Sequence, residues 1–397
     1  MSNLALVGLL VAALAIIAAV VAVIWLLRRR HLGRRALRRA NPANDYAMRT
    51  DWRRSTGTVN CSSFVYFDVD RDGSYGVADR PMAGIMVRLF DGRGGFITSA
   101  RTNNGGYANF AMSTSSATAA IRLPGDYRFS VSVPPGWRSP SANDTQSMAF
   151  RLAPGSPTGL ISQDLPRPVG LAPVRSLAGR MAAGADATLS VLANGQVVER
   201  RTLAPACAFR FELADEADTA VITGGGLDRR LALSPYPTDL GLLSPQAPAD
   251  EAGLRMIGFD DVTGRGFRKI PCGHAGLDWR NLNAMAKDHT KDSEGYVNGN
   301  VSGDHVAYTS SGYPAEFGRE TPFGFHSVLL SAAWLKAEGE TALIESWLGE
   351  RLVASDEVML SALTPLYYAP MLGQVTRVRL STKHHWQMVM DDLVLAG

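Results

Sequence analysis

The sequence predicts a mainly β protein, in which an N-terminal transmembrane helix is followed by two small β-sandwiches and a C-terminal β-sandwich of jelly-roll type. Three observations carry this expectation. Residues 1–27 hold no charged side chain, and the run Leu4 to Leu27 is long enough to cross ~30 Å of hydrocarbon as a helix. From about Thr58 onward, short runs rich in β-branched and aromatic residues alternate with clusters of Gly, Pro, Asn and Asp, the texture of strands and turns. No long helical period interrupts them, which argues against alternating strand–helix units. At 397 residues the chain exceeds what one hydrophobic core usually serves, so several cores are expected.

In chain order, residues 1–30 read as an uncleaved anchor. A cleavable secretory signal carries positive charge before its apolar core and a small-residue cleavage site after it. Here the apolar run passes straight into Arg28, Arg29 and Arg30. Ala15 with Ala19, or Ala18 with Ala22, gives the small-xxx-small spacing that packs one membrane helix against another, although alanine is common in such segments. The basic flank continues through Arg34, Arg35, Arg38 and Arg39 and supplies much of the positive charge behind the net +3. With that excess gathered in one juxtamembrane cluster, a nucleic-acid partner is not expected. By the positive-inside rule the same arginines place the C-terminal bulk in the cytoplasm. Residues 40–57 are polar and aperiodic and read as a linker.

Residues 58–170 form the first expected sandwich, with strand runs at Ser63 to Phe67, Ile85 to Phe90 and Tyr127 to Val133. Residues 171–246 repeat that texture, and Ala187 to Leu192, the turn Asn194-Gly195 and Gln196 to Leu203 spell a hairpin. Ser244 to Ala252, rich in Pro and Ala, reads as an exit linker. Residues 255–397 form the third block. Its strand candidates are Met256 to Phe259, Val328 to Trp334, Ala342 to Leu348, Val375 to Leu380 and Met388 to Leu395, with a helix-like turn near Leu282 to Lys287.

The sharpest chemical signal runs from Asp68 to Asp79. Counted from Asp68, carboxylates fall at positions 1, 3, 5 and 12 (Asp68, Asp70, Asp72 and Asp79). Gly73 at position 6 permits a sharp turn, and Ser74 at position 7 offers its carbonyl. Calcium takes six to eight hard oxygen ligands, and this spacing converges them from one loop. Three alternating aspartates would otherwise repel one another. The last acid is Asp rather than Glu and no amphipathic helices flank the loop, so a calcium loop between strands is expected. Its role would be to rigidify the fold, because a cation bound only by the folded state stabilises it.

On these residues the segment Phe64 to Trp137 resembles the B-type domain of serine-aspartate-repeat surface proteins, a transthyretin-like sandwich related to collagen-adhesin B domains. The matching stretches are Val65 to Gly73, Asp79 to Leu89, Arg101 to Phe110, Leu123 to Tyr127 and Val133 to Trp137. The resemblance implies a calcium-stabilised spacer in an exported protein. Relatives that cross-link themselves use a Lys-Asn or Lys-Asp isopeptide bond, whereas the first lysine here is Lys269. The first two blocks therefore cannot form one, which raises the importance of the cation.

The C-terminal block resembles a galactose-binding-like jelly roll through Gly258 to Asp261, Gly276 to Asn281, Gly295 to Val297, Val301 to Gly303 and Met390 to Leu393. In such folds the first and last strands lie side by side. A second structural cation between Asp260, Asp261, Asp391 and Asp392 is thus an expectation, set against one aspartate of each pair simply facing solvent. Trp279, Tyr296, Tyr308, Trp334 and Trp386 are candidates to line a glycan or protein groove, with core packing as the alternative.

No Gly-x-Ser-x-Gly elbow, phosphate loop, dinucleotide fingerprint or His-Glu-x-x-His pair occurs, so no enzyme is expected. His384-His385 is the only adjacent histidine pair, and neighbours on a strand face opposite ways. Cys61, Cys207 and Cys272 show neither metal-ligand nor disulfide-framework spacing; three thiols or at most one bridge are expected. The expected partners are the bilayer through Leu4 to Leu27, and either a protein partner or the subunits of an integral membrane complex, photosynthetic or respiratory. A glycan bound by the C-terminal block is the alternative. Calcium loops of this class fill at external calcium levels, which with the kinship places the bulk outside the cytoplasm, against the arginines.

Overall fold

The computed structural model describes residues 59–162, 164–245, 253–287, 289 and 294–397. The chain divides into residues 1–57 and a compact unit Thr58–Gly397. The anchor, its basic flank and the 40–57 linker lie outside the described residues, as does most of the 244–252 stretch. Among the described residues, no helix is long and apolar enough to cross a membrane. Among the described residues strands dominate, and Glu294–Asn298 is the one α-helix.

The first lobe is a sandwich of two sheets. Val59–Phe67 lies at the centre of one, antiparallel to Tyr107–Met112 and to Arg80–Pro81, and parallel to Val169–Pro173. The facing sheet runs in the order Phe96–Arg101, Met86–Asp91, Gly125–Val131, Thr145–Leu152, Leu160–Ser162. Strand alternation decides which side chains enter the core: along Gly125–Val131, Tyr127, Phe129 and Val131 are buried while Asp126 and Arg128 are exposed, the period of two that a half-buried sheet requires. Val65, Ile85, Leu89, Phe110, Phe129 and Leu171 fill the space between the sheets.

In the second lobe Ala187–Ala193 alternates buried and half-buried positions along its whole length. The turn to Gln196–Leu203 places Asn194 at φ 51° and Gly195 at φ 78°, the two positive values a type I′ hairpin turn needs. This hairpin, Thr219–Gly224 and Leu227–Ala232 make a four-stranded sheet. It packs against Ser176–Met181 and Thr238–Leu243 through Leu177, Leu189, Ile222, Leu240 and Leu243.

The third lobe is built on one 18-residue strand, Ala315–Ala332. Leu372–Thr382, Met388–Ala396, Leu366–Tyr368 and Asp278–Arg280 all pair with it. Leu254–Ile257 lies antiparallel to Met388–Ala396, so the lobe's first and last strands are neighbours. Leu366–Tyr368 also pairs, in parallel, with Thr238–Leu243 of the second lobe. One 14-stranded sheet thereby runs through both lobes, a continuity that no segment of sequence announces. Where the three lobes meet, Phe67, Tyr236 and Leu329 form a small buried cluster, one residue from each.

Two local expectations are corrected. Leu282–Ala286 is a strand, not a helix-like turn, pinned between Phe267–Lys269 and His305–Thr309; pairing on both edges overrides the helix propensity of Leu, Ala and Met. The helix comes later, at Glu294–Asn298. His384 and His385 occupy the turn between the last two strands rather than a strand. There His384 Nδ1 lies 3.1 Å from Glu340 Oε1, and His385 has φ 60°.

Candidate metal centre

Strand Val59–Phe67 delivers the first acid of the loop. Spacing of two along an extended chain puts Tyr66 and Asp68 on one side, and both are fully buried. The loop then turns back through Arg71, at φ 63°, and Gly73, at φ 77°, and returns Asp79 to the same point. One carboxylate oxygen from each of Asp68, Asp70 and Asp79 lies within 4.8 Å of the others. Among the described residues this is the one such convergence of three or more acidic, histidine or cysteine side chains.

The loop backbone satisfies part of these carboxylates. Gly73 N donates to Asp68 Oδ2 at 3.0 Å. Asp79 accepts from Val69 N at 2.9 Å and from Gly76 N at 2.7 Å. Asp68 Oδ1 is buried with no hydrogen-bond partner, and so is the Tyr66 hydroxyl. A Cβ on Gly170 would lie 2.7 Å from that hydroxyl and 3.0 Å from Asp68 Oδ2. Glycine at 170 therefore lets the neighbouring strand approach both groups closely. Burial first, then the charges of Asp79 and Asp70, pushes the Asp68 carboxyl above its usual range, against the hydrogen bond from Gly73. Burial, with Asp68 and Asp79 next, likewise raises the Tyr66 hydroxyl.

A buried, half-unpartnered carboxylate beside two others is costly unless something positive neutralises it. The donor set is all oxygen, which suits a hard cation such as calcium and not a thiolate- or imidazole-seeking metal. Asp72 and Ser74 are exposed, and Asp72 Oδ1 accepts from Ser74 N at 2.7 Å, an Asx turn that shapes the loop. The structure gathers Asp68, Asp70 and Asp79 and leaves Asp72 at the rim. Tyr66 carried no motif of its own; its place two residues before Asp68, on the buried side of a strand, was the available signal.

Of the four C-terminal aspartates, Asp260 and Asp261 have different partners, whereas Asp391 and Asp392 share Ser302. Asp260 Oδ1 accepts from Asp304 N at 2.7 Å and lies 3.1 Å from His305 Nδ1. Asp261 is exposed, with His274 Nδ1 at 3.9 Å. Asp391 is buried and its Oδ2 accepts from Val301 N at 2.7 Å and Ser302 N at 3.1 Å. Asp392 Oδ1 accepts from the Ser302 hydroxyl. Burial, with the charge of Asp392 second, pushes the Asp391 carboxyl up to about 7.

Trp279 lies in the third core against Phe259 and Phe317, its indole donating to His274 O at 2.9 Å. Tyr308, Tyr296, Trp334 and Trp386 form a chain of ring contacts with centroids 5.5, 5.9 and 6.1 Å apart. Tyr308 and Tyr296 are buried, Trp334 is half-buried, and the chain ends at the surface in Trp386, 37% exposed. Cys61, Cys207 and Cys272 are free thiols; burial pushes Cys61 up to about 11.

No family model matches the chain, and no curated protein matches it. Among solved structures, a mutant of the shaft pilin spaA from Lactobacillus rhamnosus GG is similar at 14% identity and TM-score 0.21, over 46% of this chain and 97% of that one. The major pilin from Streptococcus pyogenes is similar at 8% identity and TM-score 0.18, over 78% and 96%. The carbohydrate-binding module CBM51 from Clostridium perfringens GH95, in complex with methyl-galactose, is similar at 14% identity and TM-score 0.20, over 36% and 100%. Similarity this slight assigns neither family nor function.

Proposed function

We propose that this chain is a non-enzymatic scaffold whose β lobes, stabilised by calcium at Asp68, Asp70 and Asp79, dock a protein partner or the subunits of a membrane complex. The hydrophobic run Leu4 to Leu27 would hold it at the bilayer. The observation that carries the reading is the convergence of three carboxylates around a buried Asp68 oxygen that has no protein partner. A site built at the end of one strand and closed by the loop that follows it acts on stability: it ties Asp79 back to Asp68 and neutralises charge that opposes folding. The resemblance of Phe64 to Trp137 to calcium-bearing spacer domains supports the same role and an extracytoplasmic location.

Titration calorimetry and thermal melts of the full chain in detergent test it. Calcium at a hundredfold excess over its Kd is expected to add about 2.7 kcal/mol of stability. Asp68→Asn is expected to abolish both the binding heat and the shift in melting temperature. Unchanged melting with and without chelator would sink the calcium reading.

A second reading, a glycan-binding C-terminal lobe, is favoured by one observation, the aromatic chain that reaches the surface at Trp386. Glycan binding by the full chain that disappears with Trp386→Ala would select it over protein docking.

A further inference from the structure

Two arginines belong to the acidic loop, and neither faces its carboxylates. Arg71 sits between Asp70 and Asp72, yet its guanidinium runs the other way and is nearly buried, with 11% of the side chain exposed. It donates to Val69 O at 3.2 Å, Pro173 O at 3.3 Å and Pro235 O at 3.0 Å, and its Nε lies 3.3 Å from Asp215 Oδ1. Pro235 and Asp215 are residues of the second lobe. Arg80 follows the last acid directly. It donates to Asn300 O in the third lobe and, at 3.0 Å, to the Tyr236 hydroxyl in the second. Its guanidinium also stacks over the Phe67 and Tyr236 rings, 5.3 and 5.7 Å from their centroids.

The thirteen-residue segment from Asp68 to Arg80 thus holds a convergent acid cluster on one side and reaches both other lobes on the other. The first lobe keeps a core of its own, so it can stay folded while its seam with the other two lobes, which share a sheet, loosens. Three carboxylates within 4.8 Å repel one another when nothing neutralises them, and the simplest relief is for the loop to open. Opening shifts the backbone at Arg71 and Arg80 and withdraws their guanidinium groups from Pro235 O, Asn300 O and the Tyr236 hydroxyl across the seam.

Resting on the calcium reading above, we infer that a divalent cation at Asp68, Asp70 and Asp79 fixes the placement of the first lobe against the other two, with Arg71 and Arg80 as the positioning residues that transmit its presence. The cation would then control the shape that a partner meets, beyond the stability of the first lobe.

Spin labels in the full chain in detergent test this, placed at Leu123→Cys in the first lobe and at native Cys272 in the third, with Cys61→Ser and Cys207→Ser removing the other thiols. Pulsed dipolar spectroscopy in calcium is expected to give one narrow distance, and chelator to broaden it. Arg71→Ala/Arg80→Ala is expected to give the broad distribution even in calcium while calorimetry still shows calcium binding. Arg80→Ala alone, which leaves the loop sequence 68–79 intact, is the second variant and is expected to broaden the distribution in the same sense. Calcium binding with identical distributions in calcium and chelator overturns the inference and leaves the calcium reading standing. No calcium binding by the parent chain overturns both.

Discussion

Asp391 shows how one residue sets a pH dependence. Its carboxyl, pushed up to about 7 by burial and by Asp392, holds a proton in the folded chain at pH values where the unfolded chain has lost it. An acid raised in this way contributes stability that is fully present below its unfolded value of about 4 and is lost as pH rises to about 7. Melting temperature in chelator is therefore expected to fall across that interval. Asp391→Asn keeps an oxygen for Val301 N and Ser302 N and is expected to flatten the slope while lowering stability overall. Parallel curves for the two chains would show that another group is responsible. At this scale the sequence was informative where ligands lie within one loop, as Asp68, Asp70 and Asp79 do. It was silent on Tyr66, whose importance comes from a hydroxyl that burial strands beside Asp68.

Among elements, the hairpin Ala187–Leu203 was legible because its turn chemistry and its alternation agree. Asn194 and Gly195 supply positive φ, and Leu189, Val191 and Ala193 face the core. Gly195→Val keeps the alternation and breaks the turn, and is expected to cost roughly 1–2 kcal/mol, read by chemical denaturation. A loss indistinguishable from zero would mean that strand pairing, not the turn, fixes the register. Leu282–Ala286 was misread for the opposite reason. Its residue types favour helix, and the two neighbours that hold it as a strand come from residues 267–269 and 305–309. The third lobe's long strand was likewise visible only at its apolar end, Val328 to Ala332. The stretch Ala315 to Glu320 carries charge at Glu316, Arg319 and Glu320, which hides a strand from hydrophobic reading.

For the whole molecule, the sequence read as separate blocks what the fold joins in one sheet, through the parallel pairing of Thr238–Leu243 with Leu366–Tyr368. Short parallel partners leave no local mark, since the signal is shared between two distant segments. Cutting the chain at a protease site inserted after Gln246 is therefore expected to leave two fragments that co-elute in gel filtration; separation without denaturant would show that the shared sheet contributes little. Sidedness is tested by protease on intact spheroplasts, where digestion of the lobes is expected and protection would favour the cytoplasmic placement that the arginines after Leu27 predict. The strand order has a further consequence, for how the chain is made. Val65 pairs with Val169, Leu177 with Thr238, and Met256 with Val394, so contacts between distant segments close each lobe. Such topologies fold slowly, and Met388–Ala396, which stands between Ala315–Ala332 and two other strands, leaves the ribosome after all three of them. Until it arrives, the long strand shows a bare apolar edge to every other nascent chain nearby, and a chaperone that shields that edge is expected to raise the yield of folded protein.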